Sequence, residues 1–478
     1  MPPVIWPIII PIGIIPIVYL FRRTQVGAFI ATFTALEIGW LIVQLEPDFV
    51  VDILGHALTL NSFSQTVLAL IAFFAAIFFL ISALSPSFIE EKAKRVQLRQ
   101  QKRHRKAHGG IQGQEGRTLY PVGLALLSLF IVLSLTHHLG ITALLMQVAA
   151  ILIVFVIQGG RLVSIRAALQ FLSLMSLATP MLLLAAWQFD TYQYQTRPPF
   201  LPDTYQQTAL LVGLGFALWL AIVPFHSSLT ATAADSYPAT SAFVLLTVPA
   251  IALMVFMPLL ENKSAIFEYS PFFENLLIAA FFTAFMGGML AGIQRGFSQL
   301  MGYAALYDLG CLLLIIALKH QEGVTMLLVN LSSRAIALSL LATGMAALRA
   351  SHARDGFVEL TGMAWKMPFA TLGLFFGGAT LVGLPFTAGL MTRWEILAEL
   401  ASWDVRLTIL LGLAGLAVFI GYLRGIRHLL DDQNGDSTVQ IQEPLGLLVL
   451  IIGLIIINLL VSVFPNNLLE LIASIYQP

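Results

Sequence analysis

The chain has 478 residues, 58% of them hydrophobic and only 10% charged, with 25 basic residues balanced by 25 acidic ones. A mean hydropathy of +0.88 is more apolar surface than a water-soluble fold can hide, so the composition excludes a soluble enzyme and indicates a polytopic membrane protein. Zero net charge lacks the basic footprint of a nucleic-acid binder, and the single cysteine, Cys311, excludes a disulfide framework, a CxxC redox pair and an iron–sulfur cluster held by this chain alone.

Apolar runs long enough for a hydrocarbon core of about 30 Å fall at 3–21, 26–45, 64–84, 119–136, 138–157, 165–188, 208–226, 240–260, 275–294, 301–318, 323–347, 368–397, 405–425 and 444–464. The first, MPPVIWPIIIPIGIIPIVYLFRR, is apolar and then basic, the reverse of a cleaved signal peptide, and reads as a membrane span. The fourteen runs predict an all-α protein that ends in an amphipathic tail, NNLLELIASIYQP. Runs 208–226 and 368–397 contain Pro224 and Pro385, which predict discontinuous helices. PFHSSL at 224–229 and PFTAGL at 385–390 sit late in helices of opposite direction, the pattern of an inverted repeat.

Lys and Arg set the expected orientation. With the N-terminus outside, nineteen of the twenty-five fall on the cytoplasmic side, nine of them in the loop at 90–118. That loop, EEKAKRVQLRQQKRHRKAHGGIQGQEGR, reads either as a solvated topology anchor or as a lipid or nucleic-acid binding segment, and its Gln, His and Gly content favours the anchor. The expected organisation is three N-terminal helices with the basic loop (1–118), a first five-helix unit (119–260), a second (261–430), and a last helix with its tail (431–478).

Ionisable groups within the spans are functional candidates, because keeping charge there is costly. They are Glu37, Asp308, Arg334, Arg393 and Glu395. For Arg334 and Arg393 two readings stand: a charged station along a hydrated axis, or a cation neutralised by a carboxylate or by the C-terminal end of a broken helix. Arginine does not release protons, which sets both apart from a carrier lysine. Arg393 and Glu395 are two residues apart and point in different directions on an intact helix. Glu37, mid-helix in FTALEIGWL, reads as a pairing or subunit-contact group; Asp308 reads as lying near a helix start and serving its N-terminus. His226 follows the break at Pro224 and reads as a structural bridge, with proton relay the alternative. His137 and His138 at a turn carry no metal pattern. No P-loop, dinucleotide fingerprint or HExxH is present, and Gly159–Gly160 lacks phosphate-binding context.

Four stretches carry a family resemblance: PFHSSLTATAADSYPATS (224–241), GMLAGIQRGFSQLMGYAALYDLG (288–310), SHARDGFVELTGMAWKMP (351–368) and LVGLPFTAGLMTRWEIL (381–397), with a weaker fifth, IQGGRLVSIRAALQFL (157–172). In order and spacing, from about 119 to 425, the chain resembles the antiporter-like membrane subunits of respiratory complex I, group 4 membrane hydrogenases and Mrp-type cation/proton antiporters. The resemblance implies two inverted five-helix repeats with broken seventh and twelfth helices, and a mid-membrane proton path built from a glutamate and lysines. On this sequence the glutamate position falls at Met146 or Gln147, the seventh-helix lysine at Trp219, the eighth-helix lysine at Ala250, and the Lys–Arg pair entering the tenth helix at Ser298–Gln299. Arg334, behind Asn330, stands where the family often has an eleventh-helix lysine, and Arg393 takes the twelfth-helix lysine or glutamate position.

The resemblance therefore implies a subunit of a complex I-like, redox-driven proton-translocating assembly whose first half-path has lost its titratable groups. Its partners would be other membrane subunits and the lipid bilayer of an energy-transducing membrane. It would bind no cofactor, metal or nucleic acid and do no catalysis itself. Two alternatives stand beside this: a membrane subunit of a cation/proton antiporter or inorganic-carbon uptake system, and a non-conducting spacer.

Overall fold

A computed structural model describes residues 5–22, 24–45, 50–53, 56–85, 118–159, 165–194, 202–262, 266–267, 270–318, 323–349, 355–431 and 443–465. Most of the basic loop at 90–118 and the whole of the amphipathic tail at 466–478 lie outside these residues.

In chain order the long helices are α1 (Trp6–Phe21), α2 (Gln25–Val43), α3 (Ser62–Leu84), α4 (Leu119–Leu135), α5 (Leu139–Gln158), α6 (Arg166–Tyr194), α7 (Pro202–Trp219), α8 (Ser227–Asp235), α9 (Pro238–Asn262), α10 (Phe272–Ile293), α11 (Phe297–Ala317), α12 (Gly323–Leu348), α13 (Pro368–Val382), α14 (Leu390–Trp403), α15 (Val405–Leu430) and α16 (Leu445–Val463). Ten of them are long and apolar enough to cross a membrane, accompanied by the shorter apolar helices α1, α4 and α13. The chain is an integral membrane protein. One short antiparallel hairpin, Val50–Ile53 with His56–Thr59, joins α2 to α3, an element the hydropathy pattern does not announce.

Local chemistry explains why these runs are helices. Apolar residues on all sides satisfy lipid and core at once, so backbone groups must pair within the segment. Asn61 begins α3 by accepting from the Phe63 N–H at 3.1 Å, and Asp404 begins α15 by accepting from the Arg406 N–H at 2.8 Å. Buried hydroxyls donate back to the preceding turn, as in Thr247 to the Phe243 carbonyl (2.7 Å) and Thr343 to the Ser339 carbonyl (2.6 Å).

The centre of the protein is formed by α9, α11 and α12, which are almost wholly buried. α10 packs along α11 with backbones in near contact: a Cβ on Gly287 would meet the Tyr307 backbone nitrogen, and one on Gly310 would meet the Ala284 backbone. Small residues permit this approach, which dispersion rather than a hydrophobic force then stabilises within a membrane. α11 begins at Phe297, a turn earlier than the 301–318 run suggests, because its first turn is anchored from outside the span. The Phe297 N–H donates to the Asp355 carbonyl (3.1 Å) and the Ser298 N–H to the Asp355 carboxylate (3.1 Å). Asp308 is therefore in the middle of α11, which corrects its reading as a group near a helix start.

Candidate functional site

Two breaks organise the interior. The first separates α7 from α8 over residues 220–226, and the second separates α13 from α14 over 383–389. Each contains its proline and, close to it, a non-glycine residue held at positive φ: Ala221 (49°) before Pro224 and Phe386 (63°) after Pro385. Such backbone persists only where the surroundings hold it. At the first break, Thr283 of α10 accepts from the Val223 N–H at 3.1 Å. At the second, Asn458 of α16 accepts from the Ala388 N–H (2.9 Å) and the Thr380 hydroxyl (3.2 Å).

The first half is apolar or neutral at the four positions that the sequence resemblance aligns with proton groups. Trp219 ends α7 fully buried, and its indole N–H has no partner among the described residues. Met146 and Ala250 are also fully buried. Gln147 is tied into a neutral bridge between helices: its amide donates to the Ser176 hydroxyl (2.9 Å) and accepts from the Thr179 hydroxyl (2.7 Å). None of these four side chains titrates. His226 is half-buried beside the break, its ring 6.3 Å from that of Tyr303, with Nδ1 buried and without a partner among the described residues.

The second half concentrates charge. Gly383 ends α13 at φ +83°, and a Cβ there would collide with the Arg393 side chain. Glycine thus serves two needs at this one position, the left-handed cap and a passage for Arg393 into the core. Arg393 donates through Nη2 to Asp308 Oδ1 and to the Leu381 carbonyl (3.0 Å), and through Nη1 to Asn330 (3.3 Å). Arg334 donates through Nη1 to Asp308 Oδ2 (2.6 Å) and the Ala305 carbonyl (2.8 Å). Its Nη2 and Nε share the Leu245 carbonyl (3.0 and 3.3 Å).

One carboxylate therefore serves two guanidiniums, all nearly inaccessible to solvent. The cluster joins α9, α11, α12, the carbonyl end of α13, and α14. Leu381 belongs to the last turn of α13, where unpaired carbonyls and the negative end of the helix dipole favour a cation. The Arg393 guanidinium also lies 5.4 Å from the centre of the Tyr307 ring. Arg393 Nε and Asn330 Nδ2 have no partner among the described residues.

Glu395 faces away from Arg393, as their spacing requires. It lines a narrow cavity of about 10 Å³ with Thr392 and Glu399, roughly the space of one water. It also borders a groove of about 390 Å³ with Trp394 and Ser462. Thr392 ties this cavity to the cluster by donating to Asn330 at 3.1 Å. The structure thus brings Arg334, Asp308 and Arg393 together, sets Glu395 in a cavity it shares with Thr392, and leaves His226 at the other break and Glu37 exposed on α2. His138 pairs with Asp190 at 3.0 Å near the start of α5.

Ser298, which the resemblance aligns with a Lys–Arg pair, belongs to a polar latch at the first turn of α11. Its hydroxyl accepts from Arg349 (3.1 Å), whose guanidinium lies 3.5 Å from the Asp355 carboxylate. Burial pushes the Asp355 carboxyl up, but Arg349 and the Ser298 hydroxyl and N–H outweigh it and hold it below the usual carboxylate range.

Sequence reasoning missed Thr283 and Asn458, which brace the breaks. Asn458 carried a signal, as an amide within the apolar run IIINLL.

Residues 135–421 match the family model described as "NADH:quinone oxidoreductase/Mrp antiporter, TM". Among curated relatives, NADH-quinone oxidoreductase subunit N of Ectopseudomonas mendocina is 27% identical over 282 residues, covering 55% of this chain and 54% of the relative. The Chromohalobacter salexigens counterpart is 28% identical over 282 residues, covering 55% and 56%. The chain thus spans about half the length of these relatives. Among solved structures, a chain of Thermus thermophilus respiratory complex I superposes with a TM-score of 0.74 at 18% identity, covering 99% of this chain and 100% of that one. A chain of the Mrp complex from Dietzia gives 0.78 at 15% identity (99% and 52%), and one of an archaeal membrane-bound sulfane sulfur reductase gives 0.80 at 15% (99% and 97%). At these identities the likeness is one of fold.

Proposed function

Because the chain belongs to the NADH:quinone oxidoreductase/Mrp antiporter membrane family, whose model matches more than half of it, we propose that it is an antiporter-like membrane subunit of a complex I-like, redox-driven complex in an energy-transducing membrane. On this reading the chain crosses the bilayer fourteen times, with its N-terminus outside and the loop at 90–118 cytoplasmic. Two inverted five-helix repeats meet in the middle, and α7–α8 and α13–α14 are their broken helices. Electron transfer belongs to partner subunits, and this chain holds no cofactor.

The observation that carries the reading is an asymmetry between the two halves. Met146, Gln147, Trp219 and Ala250 offer no titratable group in the first, whereas Arg334, Asp308 and Arg393 form a closed ionic cluster in the second. A proton wire needs a group whose pKa lies near the working pH. Neither an apolar row nor a pair of arginines supplies one. The first half-path is thus closed, and the second serves as a fixed charged strut, with Glu395 and Glu399 beside it as its remaining carboxylates.

The non-conducting spacer reading is favoured by one feature: Arg334 is almost fully used in hydrogen bonds, so the cluster holds helices together rather than standing ready to exchange ions. The test is Arg393→Ala in the tagged parent complex, with co-purifying subunits identified. The expected result is a lower assembled yield with near-normal turnover per assembled complex. Normal assembly with abolished proton or sodium translocation in vesicles would sink the spacer reading. Co-purification with small antiporter subunits alone would favour the antiporter or carbon-uptake alternative.

A further inference from the structure

Glu37 is the one candidate that neither half of the interior absorbs. It lies on α2, a 19-residue helix about 28 Å long at 1.5 Å per residue, close to the thickness of a hydrocarbon core. Val43, at the end of the helix, lies six positions further on, so the Glu37 backbone sits about 9 Å inside that end. A glutamate side chain is too short to carry its carboxylate across that depth to the headgroups. Among the described residues Glu37 has neither a hydrogen bond nor an ion pair, and its side chain is exposed on the outer surface of the helix.

The residues around it form one stripe. Val26, Phe29, Phe33, Leu36 and Trp40 recur at helical spacing beside Glu37, and Phe33 (69%) and Trp40 (59%) are the most exposed of them. The opposite face, with Ala28, Ala31, Ala35 and Ile38, is buried within the protein. The outer stripe is thus apolar and aromatic with a single acidic point. Lipid tails match the apolar part equally well, but they offer nothing to the carboxylate. A helix carrying a basic side chain at that level matches both.

We propose that this face of α2 is the docking surface for a transmembrane helix of another subunit, one that presents a lysine, arginine or histidine at the depth of Glu37. The inference rests on the reading of the chain as a subunit of a membrane complex. Glu37 then acts as the register pin of the contact: the aromatic side chains supply the packing, and the ion pair fixes which partner docks and at what height. A buried polar group that sets partner and register at some cost in stability is a known use of such pairs.

The experiment uses the affinity-tagged parent complex in its own membrane. A photo-crosslinking amino acid replaces Phe33 or Trp40 in turn, with Val449 on the exposed face of α16 as the control position. The expected result is one adduct from both α2 positions, to the same partner subunit, within a span containing a basic residue. Glu37→Leu should reduce recovery of that subunit several-fold, and Glu37→Asp should retain most of it. If other subunits co-purify but both positions label only lipid, or a second copy of this chain, the docking proposal fails and the functional reading stands. The docking proposal fails equally if Glu37→Leu recovers every subunit at wild-type levels, because a side chain that faces lipid and no partner would explain that. If no subunit co-purifies with the wild-type chain, both readings fail together.

Discussion

Asp308 and Arg334 meet at 2.6 Å in the middle of the membrane-spanning core, and the second carboxylate oxygen of Asp308 is taken by Arg393. The cluster carries one surplus positive charge, offset by the Leu245, Ala305 and Leu381 carbonyls. Removing one partner of a buried pair strands a charge and costs on the order of 3–5 kcal/mol. Asp308→Asn leaves two guanidiniums facing each other, whereas Arg393→Met leaves a balanced Arg334–Asp308 pair. Asp308→Asn should therefore lower assembled yield and melting temperature more than Arg393→Met. Equal losses in the two variants would show that packing, not charge balance, sets the stability of the cluster.

Trp219 offers a test of whether the first half is closed. Its indole N–H makes no hydrogen bond to the described residues, so Trp219→Phe removes volume but no polar interaction and should cost no more than about 1–2 kcal/mol. Trp219→Lys reinstates the residue type that the family resemblance places there. Met146 and Ala250 provide no counter-charge, so the new ammonium should cost at least about 2.5 kcal/mol. Thermal stability in detergent and vesicle proton uptake would be read together. Proton uptake gained by Trp219→Lys alone would show that a hydrated path survives around the ring.

Asn458 and the second break make a third case. Asn458→Leu keeps the volume of the side chain but leaves the Ala388 N–H without its acceptor and takes one from the Thr380 hydroxyl, which also donates to the Phe376 carbonyl. An unsatisfied buried donor costs roughly 1–3 kcal/mol, and the loss falls beside the turn that delivers Arg393 to Asp308. The variant should melt lower and exchange the Ala388 amide faster. Unchanged exchange at Ala388 would mean that another group accepts this N–H.

The membrane class, the helical runs and both breaks were legible because they are written in composition and in proline placement, which act locally. The ionic cluster was only half legible. Arg334 and Arg393 stood out as charges in apolar runs, but Asp308 looked like a helix-start residue. The anchor that starts α11 early, Asp355, lies 57 residues beyond Ser298 along the chain. The hairpin at 50–59 was not legible, since its residues show neither a turn dipeptide nor clean alternation. Braces such as Thr283 act through a single hydroxyl that many helices carry for their own back-bonding, so nothing in the sequence separates them from the rest.

The Asp355 latch yields a prediction with a definite sign. Its carboxyl is held below the ordinary range in the folded protein, chiefly by Arg349 and Ser298 acting against burial. A group depressed in this way contributes stability that is fully present above its unfolded value, about 3.9, and lost as the pH falls through the folded value. Asp355→Asn keeps an acceptor for the Ser298 N–H but removes the charge that faces Arg349. The melting temperature of the wild-type protein should exceed that of the variant by a constant margin from neutral pH down to about pH 5. The margin should then narrow as the wild-type carboxylate takes up its proton below about pH 4. A margin that stays constant to about pH 3, or widens there, would show that the start of α11 depends on the shape of the Asp355 side chain and not on its charge.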